Sequence, residues 1–381
     1  MLAQFAGTSL WFVGNAVLPD IQARLQLGGS ALGNMTSIVQ LGFISGTLLF
    51  ALFSIADRFP AAKVFFVSCL IASLANACIV WFVKDVWSLM LLRFITGFFL
   101  AGIYPVGMKI AADWYEKGLG HALGWLVGAL VLGTAFPYLL RGWMHDLEWR
   151  YIILFTSLFA LAGGMLILIF VPEGLYRKRA QAFNPANVTR AFQSKEFRSA
   201  AFGYFGHMWE LYSFWAFVPA MIAINNHARQ GSIDTAFWSF IIIGSGAISC
   251  VVGGYLSRFA GSRKVASFSL FISGACCLFS IVCLRSVSPV FLFFMITWGL
   301  TVVADSPQFS TLVAQAAPAA YKGTALTFVT SIGFTITIAS IQLISWLFNN
   351  CSSPYSVFLI LAIGPILGLI GFLGQKRWDK V

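Results

Sequence analysis

Four ionisable side chains lie deep inside apolar stretches that are long enough to cross a lipid bilayer. They are Arg93 in the first half of the chain and His207, Glu210 and Asp305 in the second half. An ionisable group is costly in hydrocarbon, so a residue of this kind inside such a segment is a candidate for function by default. These four residues are therefore the first candidates for a mechanism.

His207 and Glu210 fall on one face of a predicted helix. At 100° per residue that face is about 80° wide, and it carries Gly203, His207, Glu210, Phe214, Phe217 and Met221. Apolar surroundings favour the protonated form of a carboxyl group, and a neighbouring imidazole can share or relay the proton. We expect Glu210 and His207 to take part in proton coupling; the alternative is a static pair that holds the helix against its neighbours.

Asp305 belongs to a second polar stripe, which it shares with Trp298, Thr301 and Gln308. Pro307 lacks a backbone N–H and allows the helix to bend close to the carboxyl group. We expect Asp305 to contribute to proton coupling or to contact a solute. Trp298 and Gln308 are candidates for solute binding on the same stripe.

Arg93 lies on a third stripe, together with Gly97, Leu100 and Tyr104. A guanidinium group binds carboxylates and phosphates well, so Arg93 is a candidate for binding an anionic part of a solute, with Tyr104 beside it. It can also act on the protonation of a nearby carboxyl group. The alternative is that Arg93 anchors neighbouring helices by hydrogen bonds.

Helices that span a membrane must position these residues. Of the 381 residues 59% are hydrophobic and only 10% are charged, which excludes a soluble enzyme, a disordered chain and a secreted domain held by disulfides. A spanning helix needs about 20 apolar residues, so twelve helices use roughly 240. Hydropathy predicts twelve such spans, at residues 4–25, 33–54, 63–83, 87–111, 119–140, 150–171, 200–224, 235–256, 265–284, 288–312, 322–348 and 354–374.

The positive charges predict the orientation of the spans. The net charge is +11, and with the N-terminus inside the cell Lys and Arg are about three times as frequent on the cytoplasmic side. We therefore expect a multi-pass protein of the cytoplasmic (inner) membrane with both termini in the cytoplasm. The same interpretation removes nucleic acid as a partner.

The chain repeats itself. Phe5, Pro19 and Arg58 of the first half match Phe205, Pro219 and Arg258 of the second, and Gly97 and Pro105 match Gly299 and Pro307. A long polar stretch lies between the halves. The sequence predicts two pseudo-symmetric six-helix bundles, at residues 1–172 and 199–381, joined by a cytoplasmic linker at residues 173–198.

Three motifs resemble a known family. Ile55-Ala56-Asp57-Arg58-Phe59 is similar to the signature loop of the major facilitator superfamily, and the segment 253–264 is similar to its second copy. Arg93-Phe94-Ile95-Thr96-Gly97 resembles the family's Arg-x-x-x-Gly motif. The first loop departs from the family pattern, because Phe53 and Pro60 stand where the family has glycine.

The resemblance implies a fold and further site residues. Spans 1, 4, 7 and 10 of such a fold line a central cavity, which adds Trp11, Asn15 and Tyr212 to the candidates for solute binding. The loop locks one conformation in the family, and this implies gating roles for Asp57, Arg58, Asp113 and Arg258. In this arrangement Asp57 faces a helix N-terminus and Arg58 pairs with Asp113.

We expect a secondary active transporter that moves a small organic solute by alternating access, coupled to protons. An uncoupled facilitator of the same fold remains an alternative, as does a transition-metal carrier that uses His207, Met208 and Met221. No HExxH or Walker A sequence is present, so we do not expect an enzyme, a resident metal or a cofactor. The expected partners are the solute, protons and membrane lipid, and we expect a monomer. The residues leave the solute and the direction of transport open.

Overall fold

The computed structural model describes residues 1–115, 119–144, 147–176, 190–318, 322–351 and 353–374, and within these ranges it contains helices and no strand. Most of the expected linker and the last residues of the chain lie outside these ranges. The first half holds α1 (Leu2–Thr8), α2 (Val13–Ala16), α3 (Leu18–Leu25), α4 (Ala31–Leu52), α5 (Ile55–Arg58), α6 (Ala61–Phe82), α7 (Val86–Leu100), α8 (Tyr104–Trp114), α9 (Leu119–Trp143) and α10 (Trp149–Phe170). The second half holds α11 (Lys195–Arg229), α12 (Thr235–Ala260), α13 (Ser262–Cys283), α14 (Ser288–Ala304), α15 (Ser306–Ala316), α16 (Lys322–Asn350), the 3₁₀ helix Val357–Ala362 and α17 (Ile363–Leu373).

These helices form the expected twelve spans. In the described part of the chain, nine apolar stretches of continuous or nearly continuous helix are long enough to cross a membrane. The other three spans are the first, made of α1 to α3; the seventh, α11; and the twelfth, Val357–Leu373. The all-α twelve-span prediction is therefore confirmed.

The chain ends define the two ends of the bundle. Because successive spans alternate in direction, Leu2, Asp57, Lys195 and Leu373 lie at one end, called the terminal end here. The helix connections near Gly29, Asp85, Gln230 and Asn349 lie at the opposite, distal end.

Local capping explains where several helices begin. Ser88 N–H donates to Asp85 Oδ1 over 2.8 Å at the start of α7, and the Ser88 hydroxyl accepts from the Asp85 backbone N–H in return. Hydrogen bonds from the Ser88 backbone N–H and the Ser88 hydroxyl to the carboxylate hold the pKa of Asp85 below its usual value. Asp234 caps α12 in a similar way, with Phe237 N–H donating to its carboxylate over 2.8 Å. Each cap satisfies a backbone donor that the first helical turn leaves free.

Three spans that the sequence predicts as continuous helices are interrupted. The first span is broken between α1 and α2, the fourth at Ala101–Ile103, and the tenth at Asp305. Pro105 and Pro307 explain the second and third breaks, because neither residue has a backbone N–H to continue the helix. The carbonyl of Val303, four residues before Pro307, instead lies 3.4 Å from the thiol of Cys250.

The breaks and close contacts repeat between the halves. α8 and α15 each carry their proline at the second position, after breaks at matching places in the fourth and tenth spans. A methyl group at Gly97 would overlap the carbonyl oxygen of Val39, and one at Gly299 would overlap that of Ile242. In both halves, therefore, a glycine lets the second and fourth spans approach with their backbones in contact, as the internal repeat predicts.

The two halves meet along two helix pairs. α9 packs along α12, where Gly124 and Gly128 face the backbone of Cys250 and Ala247. α4 packs against α16, and at the distal end the Gln342 amide donates to Ser37 Oγ over 3.0 Å. At the terminal end a cavity of about 170 Å³ separates the same two helices.

Candidate functional site

His207 and Asp305 form a buried pair inside the second half. His207 Nδ1 lies 2.8 Å from Asp305 Oδ1, and both side chains are almost completely buried. α11 carries the imidazole, and Asp305 is the residue at which α14 ends and α15 begins. His207 Nε2 and Asp305 Oδ2 have no hydrogen-bond partner among the described residues. The pair therefore has one polar atom without a hydrogen-bond partner on each side.

Glu210 lies one turn from His207 but faces other helices. Its carboxylate accepts a hydrogen bond from Trp298 Nε1 over 2.6 Å, from Ser273 Oγ over 2.9 Å and from Cys277 Sγ over 3.3 Å. These donors belong to α13 and α14, and Glu210 is 1% exposed. The sequence places His207 and Glu210 on one face, whereas the structure gives each its own partners.

Arg93 holds the break in the first span. Its guanidinium donates to the carbonyl of Leu10 over 3.1 Å and to that of Trp11 over 2.6 Å, and also to Asn76 Oδ1 over 3.2 Å. The side chain is fully buried. The carbonyls that lose helical partners at the break are thus satisfied by a side chain from the fourth span. This geometry corresponds to the anchoring alternative, and it also keeps a positive charge at the break.

Two of the aromatic candidates meet at the interface between the halves. Trp11 lies 5.6 Å from Tyr212 between ring centroids, and it stacks on Phe334 of α16 at 5.8 Å. Asn15 lies nearby on α2 and donates to Thr36 Oγ1 over 2.8 Å. All of these side chains are buried.

The remaining candidates for solute binding are dispersed. Tyr104 is buried at the first turn of α8, beside the break in the fourth span. Gln308 is buried in the first turn of α15, three residues after Asp305. Trp298 packs its ring on Phe214 at 4.7 Å and points its N–H at Glu210. Trp298 therefore contacts Glu210 within the second half.

The ion pairs around the loop at the terminal end differ from the predicted ones. Lys109 Nζ lies 2.6 Å from Asp57 and 3.9 Å from Asp113. Within the described ranges Arg58 makes no ion pair with Asp113, so the predicted Arg58–Asp113 pair is wrong. Lys109 precedes Asp113 by one turn of α8, and its ammonium group lies close to both carboxylates. Arg58 is instead exposed at the end of the short α5. Arg258 is likewise exposed near the end of α12.

The cavity at the terminal end lies directly beside this ion-pair group. It is lined from both halves, by Thr47, Phe50 and Lys109 on one side and by Gly323, Thr324 and Thr327 on the other. It gives access between α4 and α16 from the terminal end, while the same helices are in contact at the distal end.

No cluster of three or more His, Cys, Asp or Glu side chains that could hold a metal ion occurs within the described ranges.

Several side chains that form hydrogen bonds with the candidate residues were not predicted from the sequence. Asn76, Ser273 and Cys277 bind the side chains of Arg93 and Glu210. Asn76 could have been found as a carboxamide in an otherwise apolar span. Ser273 and Cys277 are small residues of kinds that are common in membrane helices. Phe43 and Phe334 are two of 38 phenylalanines, so nothing in the sequence marks them as interface residues.

Two solved transporter structures resemble nearly the whole chain. One is a bacterial homolog to the human lysosomal transporter Spinster, in an inward-facing and occupied conformation. It has a TM-score of 0.72 at 12% identity, covering 100% of this chain and 97% of that one. The other is a mutant of the nucleoside transporter NupG, with a TM-score of 0.71 at 14% identity and coverage of 99% and 98%. At these identities the likeness shows the fold.

Several curated proteins share sequence with the chain. An uncharacterised protein of Campylobacter jejuni is 23% identical over 281 residues, which are 71% of this chain and 83% of that protein. The niacin transporter NiaP of Acinetobacter baylyi is 36% identical over 118 residues, 28% of this chain and 26% of the relative. The multidrug transporter mdrA of Aspergillus fumigatus is 29% identical over 168 residues, 42% of this chain and 27% of the relative. The matches to the two transporters thus cover only about a quarter of their lengths.

The family assignment rests on a longer match. The sequence pattern of the Major Facilitator Superfamily fits residues 1–338, which include all four buried ionisable residues, the whole first half of the repeat and most of the second. The chain belongs to the Major Facilitator Superfamily of membrane transporters.

Proposed function

We propose that this protein is a secondary active transporter that moves a small organic solute by alternating access and couples the movement to protons. The observation that carries the proposal is the buried His207–Asp305 pair at the break between α14 and α15. Ionisable groups at such depth are expensive in a membrane protein and typically mark a proton or substrate pathway. The pair lies in two of the spans that face the other half in this family.

Proton uptake would change the contacts of the pair. A neutral imidazole carries one donor and one acceptor, whereas a protonated imidazole carries two donors. An added proton on His207 Nε2 would therefore need a new acceptor, and a proton on Asp305 would compete with the bond from Nδ1. Because Asp305 sits where the helix is interrupted, such a change can alter the angle between α14 and α15.

Glu210 offers a second proton-binding group within the same bundle. Its carboxylate accepts from three donors, and a protonated carboxyl group would add an O–H that needs an acceptor among them. Proton uptake at Glu210 would thus change the packing of α11 on α13 and α14. We assign Glu210, His207 and Asp305 to coupling on this basis.

The helix pair α4–α16 supports alternating access. The pair is closed at the distal end by Gln342, Ser37 and Asn34, and a cavity opens between the same helices at the terminal end. A solute that leaves or enters this cavity would cross when the halves rock and the distal contacts separate.

The relatives support a small organic solute as the cargo. The short matches to a niacin transporter and to a multidrug transporter both involve proteins whose names describe organic cargo. We propose the same broad class here, and we leave the direction of transport to the experiment.

The decisive experiment measures proton flux in proteoliposomes. The purified protein is reconstituted with a pH-sensitive dye inside, and a panel of organic acids, amino acids, nucleosides and amines is added one by one. We expect at least one solute to drive proton movement, and an imposed proton gradient to concentrate that solute. Solute movement that is identical with and without the gradient would indicate an uncoupled facilitator instead.

The orientation needs a separate test. We propose that the protein is a monomer in the cytoplasmic membrane, with six-helix bundles at residues 1–172 and 199–381, a cytoplasmic linker at 173–198 and the terminal end in the cytoplasm. A C-terminal alkaline phosphatase fusion should then be inactive and a fluorescent protein fusion bright. An active phosphatase would reverse the orientation.

A further inference from the structure

A cluster of six aromatic side chains joins the two halves at the centre of the molecule. We call it the interface cluster; it consists of Trp11, Phe12, Phe43, Tyr212, Trp215 and Phe334. Three rings come from the first half and three from the second, and all six are at most 3% exposed. If the halves separate during transport, the contacts between these rings are lost.

We infer that the interface cluster is the solute-binding site and that it takes a planar aromatic carboxylate. This inference rests on the proposed transport function and names its substrate class. The ring geometry, the buried indole N–H groups and the positive charge of Arg93 next to the cluster all favour such a solute.

Two ring pairs across the interface lie nearly in parallel. Trp11 and Phe334 stack with an angle of 23° and a centroid distance of 5.8 Å, and Phe12 and Tyr212 with 27° and 6.4 Å. Aromatic rings attract at centroid distances of about 4.5–7 Å, so a ring bound between two others needs a gap of roughly 9 Å. An opening of about 3 Å between Trp11 and Phe334 would create that gap. A flat ring would then replace the contact that the two protein rings lose.

Two buried donors in the cluster are left unpaired. The indole N–H groups of Trp11 and Trp215 have no acceptor within the described residues. An unpaired buried donor costs free energy, and native structures rarely keep one without a reason. A solute with carboxylate oxygens would supply acceptors that the protein lacks at this place.

The charge behind the cluster favours an anion. Arg93 donates to the carbonyl of Trp11 itself, and it forms no ion pair with a carboxylate in the described part of the chain. A buried guanidinium without a counter-ion attracts a negative group over several ångströms, because the surroundings screen it weakly.

The test compares matched ligands on the purified protein in lipid nanodiscs. Benzoate and 2-naphthoate are the aromatic probes; cyclohexanecarboxylate and decahydro-2-naphthoate keep the charge without the flat ring, and benzamide keeps the ring without the charge. Calorimetry should show that each aromatic acid binds roughly tenfold more tightly than its saturated analogue, as one or two ring contacts provide. Benzamide should also bind more weakly than benzoate.

Variants connect the preference to the cluster. Trp11→Phe keeps a ring and removes the N–H, so it should weaken binding by roughly 3–10-fold, the value of one hydrogen bond. Trp11→Leu should weaken it further and remove the preference for flat rings. Phe136→Leu is the matched control, because Phe136 packs with Phe5 and Phe159 within the first half.

The results separate the inference from the proposed function. Equal affinity for aromatic and saturated acids, no binding of either aromatic acid, or a loss in Phe136→Leu as large as in Trp11→Leu would overturn the inference. Proton-driven transport of another solute would leave the proposed function intact in each case. Selective binding of aromatic acids without gradient-dependent flux would support this site and contradict the proposed coupling.

Discussion

Arg93 donates a hydrogen bond to the carbonyl of Trp11 over 2.6 Å, across the point where the first span loses its helical structure. The place of Arg93 in the internal repeat is taken by Met295 in the second half, where the seventh span runs unbroken as α11. The first half, whose first span is interrupted, therefore carries the arginine. The second half, whose corresponding span is continuous, carries an apolar residue at that position. This contrast indicates that the break and Arg93 depend on each other.

We expect Arg93→Met to destabilise the protein. The substitution leaves the carbonyls of Leu10 and Trp11 buried without donors, at a cost of about 1–3 kcal/mol each. Arg93→Lys keeps the charge but has a single donor head, so its loss should be smaller. Thermal unfolding of the purified variants measures both effects. Arg58→Met, at an exposed arginine, is the control; equal unfolding temperatures for Arg58→Met and Arg93→Met would show that the carbonyl contacts contribute nothing.

The close approach of α4 and α7 gives a second prediction. A methyl group at Gly97 would overlap the carbonyl oxygen of Val39, and backbone atoms cannot move aside as side chains can. We expect Gly97→Ala to cost about 1–3 kcal/mol of folding free energy and to reduce the yield of monodisperse protein. Gly323→Ala is the matched control, because outside its own helix no atom of the described residues lies within 4 Å of the added methyl group. A Gly97→Ala protein as stable as Gly323→Ala would mean that the helices separate freely there.

The sequence predicts the spans well because membrane helices obey a simple rule. A segment in lipid must satisfy its backbone internally, so long apolar runs separated by charged turns predict helices. Pro307 also predicts a bend in the tenth span, and Pro105 stands at the matching position of the fourth span. The break after Thr8 lies between Gly7 and Gly14, but no proline marks it. Its carbonyls accept hydrogen bonds from Arg93, more than eighty residues later in the chain, and local patterns do not contain that information.

The partners of the buried carboxylates show the same limit of local patterns. His207 and Glu210 are three residues apart, which places them about 60° apart around the helix axis. That separation looks like one face on a helical projection. In the tightly packed bundle it directs His207 to Asp305 and Glu210 to Trp298. Which of two neighbouring helices a side chain contacts is decided by tertiary packing.

We expect Asp305→Asn to uncouple transport from the proton gradient. The amide keeps the size of the side chain but cannot exchange a proton, and it leaves His207 without its charged partner. Accumulation of the solute under an imposed proton gradient should be lost, whereas exchange of labelled for unlabelled solute should continue within about tenfold. Ser306→Ala, at the same helix break, is the control and should accumulate solute normally. Gradient-driven accumulation by Asp305→Asn would remove Asp305 from the coupling mechanism.

Glu210→Gln distinguishes a coupling role from a static role. The amide nitrogen is a donor placed among three donors, so the variant should lose about 1–3 kcal/mol of stability. A coupling role also predicts a changed dependence of transport on the proton gradient. Trp298→Phe removes one donor without touching the carboxylate and is the matched comparison. If both variants lose stability but keep normal gradient dependence, Glu210 holds the helices together and takes no part in coupling.

Cross-linking tests whether the distal contact between α4 and α16 opens during transport. A Cβ atom at Gly33 would lie 2.7 Å from the Cβ of Ser345, so a small shift brings a Gly33→Cys/Ser345→Cys pair to the disulfide range of about 3.5–4.5 Å. We expect oxidation of the double variant to stop transport and reduction to restore it, because the bond holds the halves together at the distal end. The two single variants control for the native cysteines and for the added bulk at Gly33. Full transport activity in protein that is completely cross-linked would show that this contact stays closed throughout the cycle, and that alternating access uses another opening.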